Sequence, residues 1–76
     1  MSPKLPAVTA RELARVAERL GFRLRHQVGS HAVYSRQEDG ARVTIPMHAG
    51  KTIKPGTLRS IIADLRISPE EFRDLL

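Results

Sequence analysis

Residues 27–34 read Gln27-Val28-Gly29-Ser30-His31-Ala32-Val33-Tyr34. A glycine and a serine stand between two runs suited to β-strands, which predicts a hairpin. Helix-like patterns precede and follow this hairpin, so its position decides the order of elements along the whole chain. It also places a titratable histidine at the rim of a predicted sheet, where a side chain can take part in chemistry.

The strand before the loop covers residues 22–26, in which arginines alternate with Phe22, Leu24 and His26. This period of two predicts a half-buried strand with those three side chains on one face. We expect the loop to be Val28-Gly29, which places His26 opposite His31 across an antiparallel pair.

The strand after the loop, residues 31–36, has two possible inward faces. If Val33 points toward the core, His31 lies on the same side; if Tyr34 does, Ala32 accompanies it. We predict that Val33 points inward, which leaves His31 on the helix-covered side at the open end of the sheet. Catalysis would require His31 to be exposed at that rim.

The predicted helices begin at capping signals. Thr9 and Glu12 have the spacing of a capping box at the start of a first helix, and Gly21 suits its end. A second helix is predicted from about residue 55 to residue 66, with a proline in its first turn. Ser68 has the form of a cap for a short terminal helix.

A third strand is predicted over residues 41–45, with Val43 and Ile45 inward and Pro46 at its end. Residues 47–52 show no period and are predicted to form a loop that crosses to the second helix. The order is helix, three antiparallel strands, helix and short helix. Two helices on one face of a small sheet define an α+β fold.

The chain has 76 residues, no cysteine and a net charge of +5, so we expect one domain, residues 1–76, without disulfides. Basic side chains predominate in residues 1–63 and acidic ones in residues 64–76. A basic body favours a polyanionic partner such as nucleic acid. Since no apolar run is long enough for a membrane span and Met1–Pro6 lacks a signal-peptide core, we expect no membrane association and a cytoplasmic location.

Three histidines are candidates for chemistry near neutral pH. For His26, ring packing and a hydrogen bond to a carbonyl are the favoured interpretation. His48 lies in a basic loop and suits a phosphate contact and plain solvation equally well. Their separations along the chain match no usual metal-site spacing, so we predict no metal and no cofactor.

His31 has the most specific surroundings, because Gly29, Ser30 and Lys51 could hold a phosphodiester beside its imidazole. Metal-free cleavage of RNA needs a base for the 2′-hydroxyl, a proton donor for the departing 5′-oxygen and a positive or amide-lined site for the phosphate. Histidine can take either proton role. The residues alone do not identify a second catalytic acid.

Three motifs in this order resemble those of the HicA-type toxins, also called YcfA-like, of bacterial and archaeal toxin-antitoxin systems. They are Gln27-x-Gly29-Ser30-His31-x-x-Tyr34, Val43-Thr44-Ile45-Pro46-x-His48 and Gly56-Thr57-Leu58-Arg59-Ser60-Ile61. Each motif is short, but the three in register, over about residues 10–67, make the resemblance fairly specific.

The resemblance implies a fold similar to the double-stranded-RNA-binding domain, α-β-β-β-α. It also implies a metal-independent mRNA interferase that a HicB-type antitoxin neutralises in a hetero-oligomeric complex. The catalytic histidine of the family corresponds to His31. We expect Gly29, Ser30, Lys51, Lys54 and Arg59 to bind the RNA substrate.

The chain departs from the family pattern at two places. His26 stands where an arginine or lysine is common, and residues 67–76 add an acidic, leucine-ended helix that we expect to pack on the domain or contribute to a partner surface. Two other functions remain open on the sequence. They are a non-enzymatic double-stranded-RNA-binding module and a protein-interaction module.

Overall fold

The computed structural model describes residues 5–76. The elements follow the order α1 (Ala10–Arg19), β1 (Arg23–Val28), β2 (His31–Ser35), β3 (Arg42–Pro46), α2 (Pro55–Asp64) and α3 (Pro69–Leu75). The strands form one antiparallel sheet in the order β1-β2-β3. This confirms the predicted α+β fold, α-β-β-β-α with a short additional helix. The expectation for Met1–Pro6 falls largely on residues 1–4, which lie outside the described residues.

Both predicted capping boxes are present. The Thr9 amide donates to the Glu12 carboxylate at 2.9 Å, and the Glu12 amide donates to the Thr9 hydroxyl at 3.2 Å. Ser68 and Glu71 exchange the same two bonds at 3.2 and 3.1 Å. These bonds satisfy amides that the first turn of a helix leaves without partners, and they define where α1 and α3 begin.

One face of the sheet is covered by helices. Both α1 and α2 pack against β3, and the core between the layers includes Leu13, Phe22, Ile45, Leu58 and Leu65, all at most 2% exposed. Val43 and Ile45 point inward, as predicted. In residues 5–76, no helix combines the length and apolar character that a membrane crossing requires.

The predicted orientation of β2 was wrong. Ala32 and Tyr34 are buried against the helices, at 1% and 6% exposure, while His31 is exposed and Val33 is half-buried on the other face. The reason is the pairing with β3, in which Ala32 lies opposite Ile45 and Tyr34 opposite Val43. Directly paired residues share a face, so the inward side chains of β3 determine the inward side chains of β2.

The predicted hairpin loop was also wrong by one residue, which shifts the β1 partner of His31 by two residues, from His26 to Val28. The loop is Gly29-Ser30, and Val28 lies opposite His31. Gly29 has a φ of +58°, whereas Ser30 does not have a positive φ, which is the pattern of a type II′ turn with glycine in first position. A glycine there tolerates the conformation without steric cost, so the turn forms one residue later than expected.

A register shift in β1 breaks the predicted alternation of Phe22, Leu24 and His26. Leu24 lies opposite Tyr34, but His26 lies opposite Val33, so one residue, Arg25, is extra on this strand. Such a bulge reverses the facing of the residues beyond it. Leu24 therefore lies on the helix side, where it is 51% exposed, and His26 lies on the uncovered side.

Arg36 connects the hairpin to the end of α1. Its guanidinium lies 4.6 Å from the centre of the Phe22 ring, donates to the Leu20 carbonyl at 2.9 Å and makes two bonds to Asp39 at 2.9 and 2.8 Å. Asp39 also accepts from Arg66. The hydrogen bonds from the Arg36 guanidinium hold the pKa of the Asp39 carboxyl well below its usual range.

Stability should therefore depend on pH through Asp39. A carboxyl whose pKa is lowered by folding stabilises the protein above its unfolded pKa, about 3.9, and this contribution disappears as the pH falls further. We expect Asp39→Asn to be less stable than the wild type at pH 7 and the difference to shrink at pH 3. Urea unfolding at both pH values measures the difference in the free energy of unfolding between the variant and the wild type. Glu70→Gln on α3 is the control. An unchanged difference would contradict the role of the Asp39 charge.

The C-terminal extension, residues 67–76, packs on the domain, which was the first of the two expectations for it. Phe72 of α3 is fully buried, α3 contacts both α1 and α2, and Arg19 donates to the Leu75 carbonyl at 2.9 Å. Leu76 remains 46% exposed. The extension therefore adds a large aromatic side chain to the same core.

Candidate active site

The face of the sheet opposite the helices carries the candidate site, and we call it the open face. Directly paired residues share a face, and Arg25 lies there too because its guanidinium donates to the Ser35 hydroxyl at 2.6 Å. The open face comprises Arg23, Arg25, His26 and Val28 of β1, His31, Val33 and Ser35 of β2, and Arg42, Thr44 and Pro46 of β3.

His31 is the first residue of β2 and is exposed on this face. The turn before it is held from two sides, because the Gln27 side-chain amide donates to the Gly29 carbonyl at 3.1 Å and the Met47 amide donates to the Ser30 carbonyl. A histidine that follows an anchored turn has a defined backbone position. His31 thus has the solvent access that the predicted orientation would have restricted.

A cleft of about 330 Å³ borders Pro46, at the end of the sheet where β2 begins. Pro46, which pairs with His31 across the strands, forms part of its wall together with His48, Lys51, Lys54 and Thr57. The structure therefore brings two of the basic residues predicted to bind substrate, Lys51 and Lys54, to the same end of the sheet as His31, Gly29 and Ser30.

The first turn of α2 faces this cleft through Lys54 and Thr57. Lys54 is the N-cap, its side chain makes no capping hydrogen bond, and the first turn contains no acidic residue. Helix geometry leaves the first amides without intrahelical partners, and the helix dipole favours an anion at this end. Together with the two lysines, the cleft suits a phosphate group.

Arg59 is not brought to this cleft. It lines a separate groove between α2 and α3 together with Ile62, Ile67 and Glu70. Thr57 and Arg59 are two positions apart on a helix, so their side chains point to opposite flanks of α2. Arg59 therefore does not line the cleft that Lys51 and Lys54 form with Pro46.

His48 lies in the loop between β3 and α2 and is exposed. It lines the cleft that borders Pro46 and also a second cleft, formed with Thr9, Arg11 and Gly50. Within residues 5–76, no group of three or more histidine, cysteine, aspartate or glutamate side chains is clustered as a metal site requires.

Sequence reasoning missed the arginines of the open face. Arg42 and Arg23 both pair with Ser35, and Arg25 hydrogen-bonds to it, so three guanidiniums lie at the end of the face away from the turn. The predicted alternation of β1 placed Arg23 and Arg25 on the face opposite Leu24, where they lie, but it assigned them no role. An open face with arginines at one end and histidines toward the other suits a phosphodiester chain laid along the strands.

The fold and this face define a small basic α+β domain with an exposed histidine after a Gly-Ser turn. The family model for the HicA toxin of bacterial toxin-antitoxin systems matches residues 10–67. The chain belongs to the HicA toxin family, which confirms the resemblance in both kind and extent. It is therefore a toxin of the toxin-antitoxin class, and the family implies an antitoxin partner. No match to a curated protein was found.

Proposed function

We propose that this toxin is a metal-independent endoribonuclease that cleaves mRNA in the cytoplasm, with His31 as general base or general acid. We further propose that a HicB-type antitoxin neutralises it in a hetero-oligomeric type II system. The observation that carries the proposal is the position of His31, which is exposed on the open face and pairs across the strands with Pro46, a residue that lines a cleft together with Lys51 and Lys54. Family membership and a net charge of +5 support an RNA substrate.

The proposed reaction begins with attack of the ribose 2′-oxygen on the adjacent phosphorus. The O2′–P bond forms, the P–O5′ bond breaks, and a 2′,3′-cyclic phosphate and a 5′-hydroxyl are produced. His31 exchanges a proton with one of the two oxygens, since histidine is a side chain that can serve as general acid or general base at neutral pH. Lys51 and Lys54 bind a neighbouring phosphate of the RNA backbone beyond Pro46.

Gly29 and Ser30 contribute the turn itself. Its backbone approaches the substrate next to His31, and Gly29 has no side chain to obstruct that approach; a β-carbon built on Gly29 would meet nothing within 4 Å, so the surrounding space is open. The positive φ of Gly29 would strain any other residue. The turn thus positions His31 and leaves room for a nucleotide.

Removing a lysine from the cleft should weaken RNA binding in a salt-dependent way. For Lys51→Ala and for Lys54→Ala, the slope of log affinity against log salt should fall by about one, because each lost phosphate contact releases one counterion fewer. Fluorescence anisotropy on a non-cleavable RNA with 2′-deoxy at the scissile position measures the slope. Arg15→Ala, on the exposed side of α1, is the matched control and should retain the wild-type slope. Unchanged slopes for both lysine variants would remove them from the site.

Metal independence is tested separately. Cleavage of a defined RNA should proceed at the same rate with and without excess EDTA. Activity that disappears with the chelator and returns with added Mg²⁺ or Mn²⁺ would contradict this part of the proposal.

A non-enzymatic RNA-binding module is the second candidate function, and the three arginines at the far end of the open face favour it, because arginine is a side chain suited to phosphate contacts that involve no chemistry. This alternative expects salt-sensitive binding and intact RNA after long incubation. Gel analysis of the recovered RNA separates it from the ribonuclease.

A further inference from the structure

His26 lies on the open face together with His31, contrary to the expectation that it packs its ring against the core. It pairs with Val33, while His31 pairs with Val28, so the two histidines are diagonal neighbours on adjacent antiparallel strands. Diagonal neighbours lie roughly 7–8 Å apart, within reach of large side chains. Both histidines are exposed.

The cleavage reaction requires two proton-transfer groups, one on each side of the scissile phosphate. One removes the proton of the 2′-hydroxyl, and the other supplies a proton to the departing 5′-oxygen, on opposite sides of the phosphorus. His31 can serve one of these positions, and histidine is the side chain best suited to the other at neutral pH.

We propose that His26 is the second proton-transfer residue of the RNA cleavage reaction, opposite His31 across the scissile phosphate. This inference rests on the proposed ribonuclease function. In the reaction, one imidazole takes the proton of the 2′-hydroxyl as the O2′–P bond forms. The other imidazole, in its protonated form, gives its proton to O5′ as the P–O5′ bond breaks.

The other candidates for this role are placed less well. Tyr34 is buried on the helix side of the sheet, and Ser30 lies in the turn beside His31 and not across from it. His48 belongs to the loop beyond Pro46 and is directed to the clefts around that loop. His26 shares with His31 a paired strand, a face and a defined register.

The β1 bulge produces this arrangement. Without the extra residue Arg25, the alternation of β1 would place His26 on the helix side with Leu24. The charged side chains that share the open face with the two histidines are Arg23, Arg25 and Arg42; the helices pack on the opposite face, and none of the strand residues on the open face is acidic. These arginines lie toward the end of the face where the phosphate chain would continue.

The test compares two RNA substrates of one sequence cleaved by the wild type. The first has the natural 5′-oxygen at the scissile bond, and the second has sulfur there, because a thiolate leaves without a proton. On the natural substrate, His26→Ala should lose about 10²–10⁴-fold in rate, as expected for a general acid or base. On the sulfur substrate, one of the two variants, His26→Ala or His31→Ala, should recover to within about tenfold of the wild type, which identifies the acid.

Two further measurements separate proton transfer from charge or structure. His26→Lys places a positive charge at this position, but lysine titrates far above neutrality, so this variant should be as slow as His26→Ala. The pH–rate profile of the wild type should be bell-shaped, and that of His26→Ala should keep a single limb. Leu24→Ala, on the same strand but the other face, is the control and should cleave at the wild-type rate.

His26→Ala at the wild-type rate, full activity in His26→Lys, or equal losses on both substrates for both histidine variants would each overturn the role of His26. Such results leave the ribonuclease proposal intact as long as His31→Ala is inactive. A wild type that cleaves neither substrate overturns the proposed function itself, and His26 falls with it.

Discussion

Replacing His31 with alanine is expected to slow RNA cleavage by about 10²–10⁴-fold, the usual contribution of a positioned general acid or base. His31 is exposed on the open face, so the loss should come from the chemistry and not from unfolding. Initial rates on a defined RNA, measured with EDTA present, give the effect. In cells, the same variant should no longer arrest growth.

The controls for His31→Ala follow from the exposed position of the His31 side chain. Because the His31 side chain is not part of the core, His31→Ala should unfold at the same urea concentration as the wild type and should still bind its antitoxin. Arg15→Ala should cleave at the wild-type rate. Cleavage retained by His31→Ala would remove the direct catalytic role, while family membership would stand on the match over residues 10–67.

Phe72→Ala is expected to destabilise the protein by about 3–5 kcal/mol, the usual cost of removing a fully buried phenylalanine. A domain of this size has a total stability of only about 5–15 kcal/mol. Each kcal/mol corresponds to a fall of about 4–8 °C in Tm for a small domain, so the Tm should drop by at least about 12 °C. Thermal and urea unfolding followed by circular dichroism measure this change.

The comparison with Leu76→Ala makes this test specific to burial. Leu76 follows α3 directly and is 46% exposed, so its truncation should change stability by less than about 0.5 kcal/mol. A small effect of Phe72→Ala would mean that α3 detaches easily and serves a partner. The expected large effect would mean that the segment beyond the family match is part of the folding unit.

The helices were predictable because their signals are local. Thr9 with Glu12 and Ser68 with Glu71 close hydrogen-bonded rings within four residues, and no distant group can change that geometry. Gly21 adopts a φ of +92°, which few other residues tolerate, and so ends α1 where expected. The inward facing of Val43 and Ile45 was equally clear, since the polar alternative would bury Arg42 and Thr44.

The candidate site was only half predictable. The motif singled out His31, Gly29 and Ser30 from residues adjacent in sequence, and the crossing loop supplied Lys51 and Lys54 beside Pro46. Arg59 lies on the other flank of α2. The position of Arg59 could not be predicted from one segment. It depends on how α2 is rotated about its axis and on where the cleft lies relative to that helix.

The sequence by itself determined the order of the elements, the helix ends and the histidine that follows the turn, because each depends on residues close together in the chain. The tertiary structure decided the facing of β2, the loop at Gly29-Ser30 and the bulge at Arg25. Because both Val33 and Tyr34 are apolar, the sequence of β2 does not determine which of its faces is buried. The pairing with β3 determines it. That selection exposes His31 and, with the bulge, places His26 on the same open face.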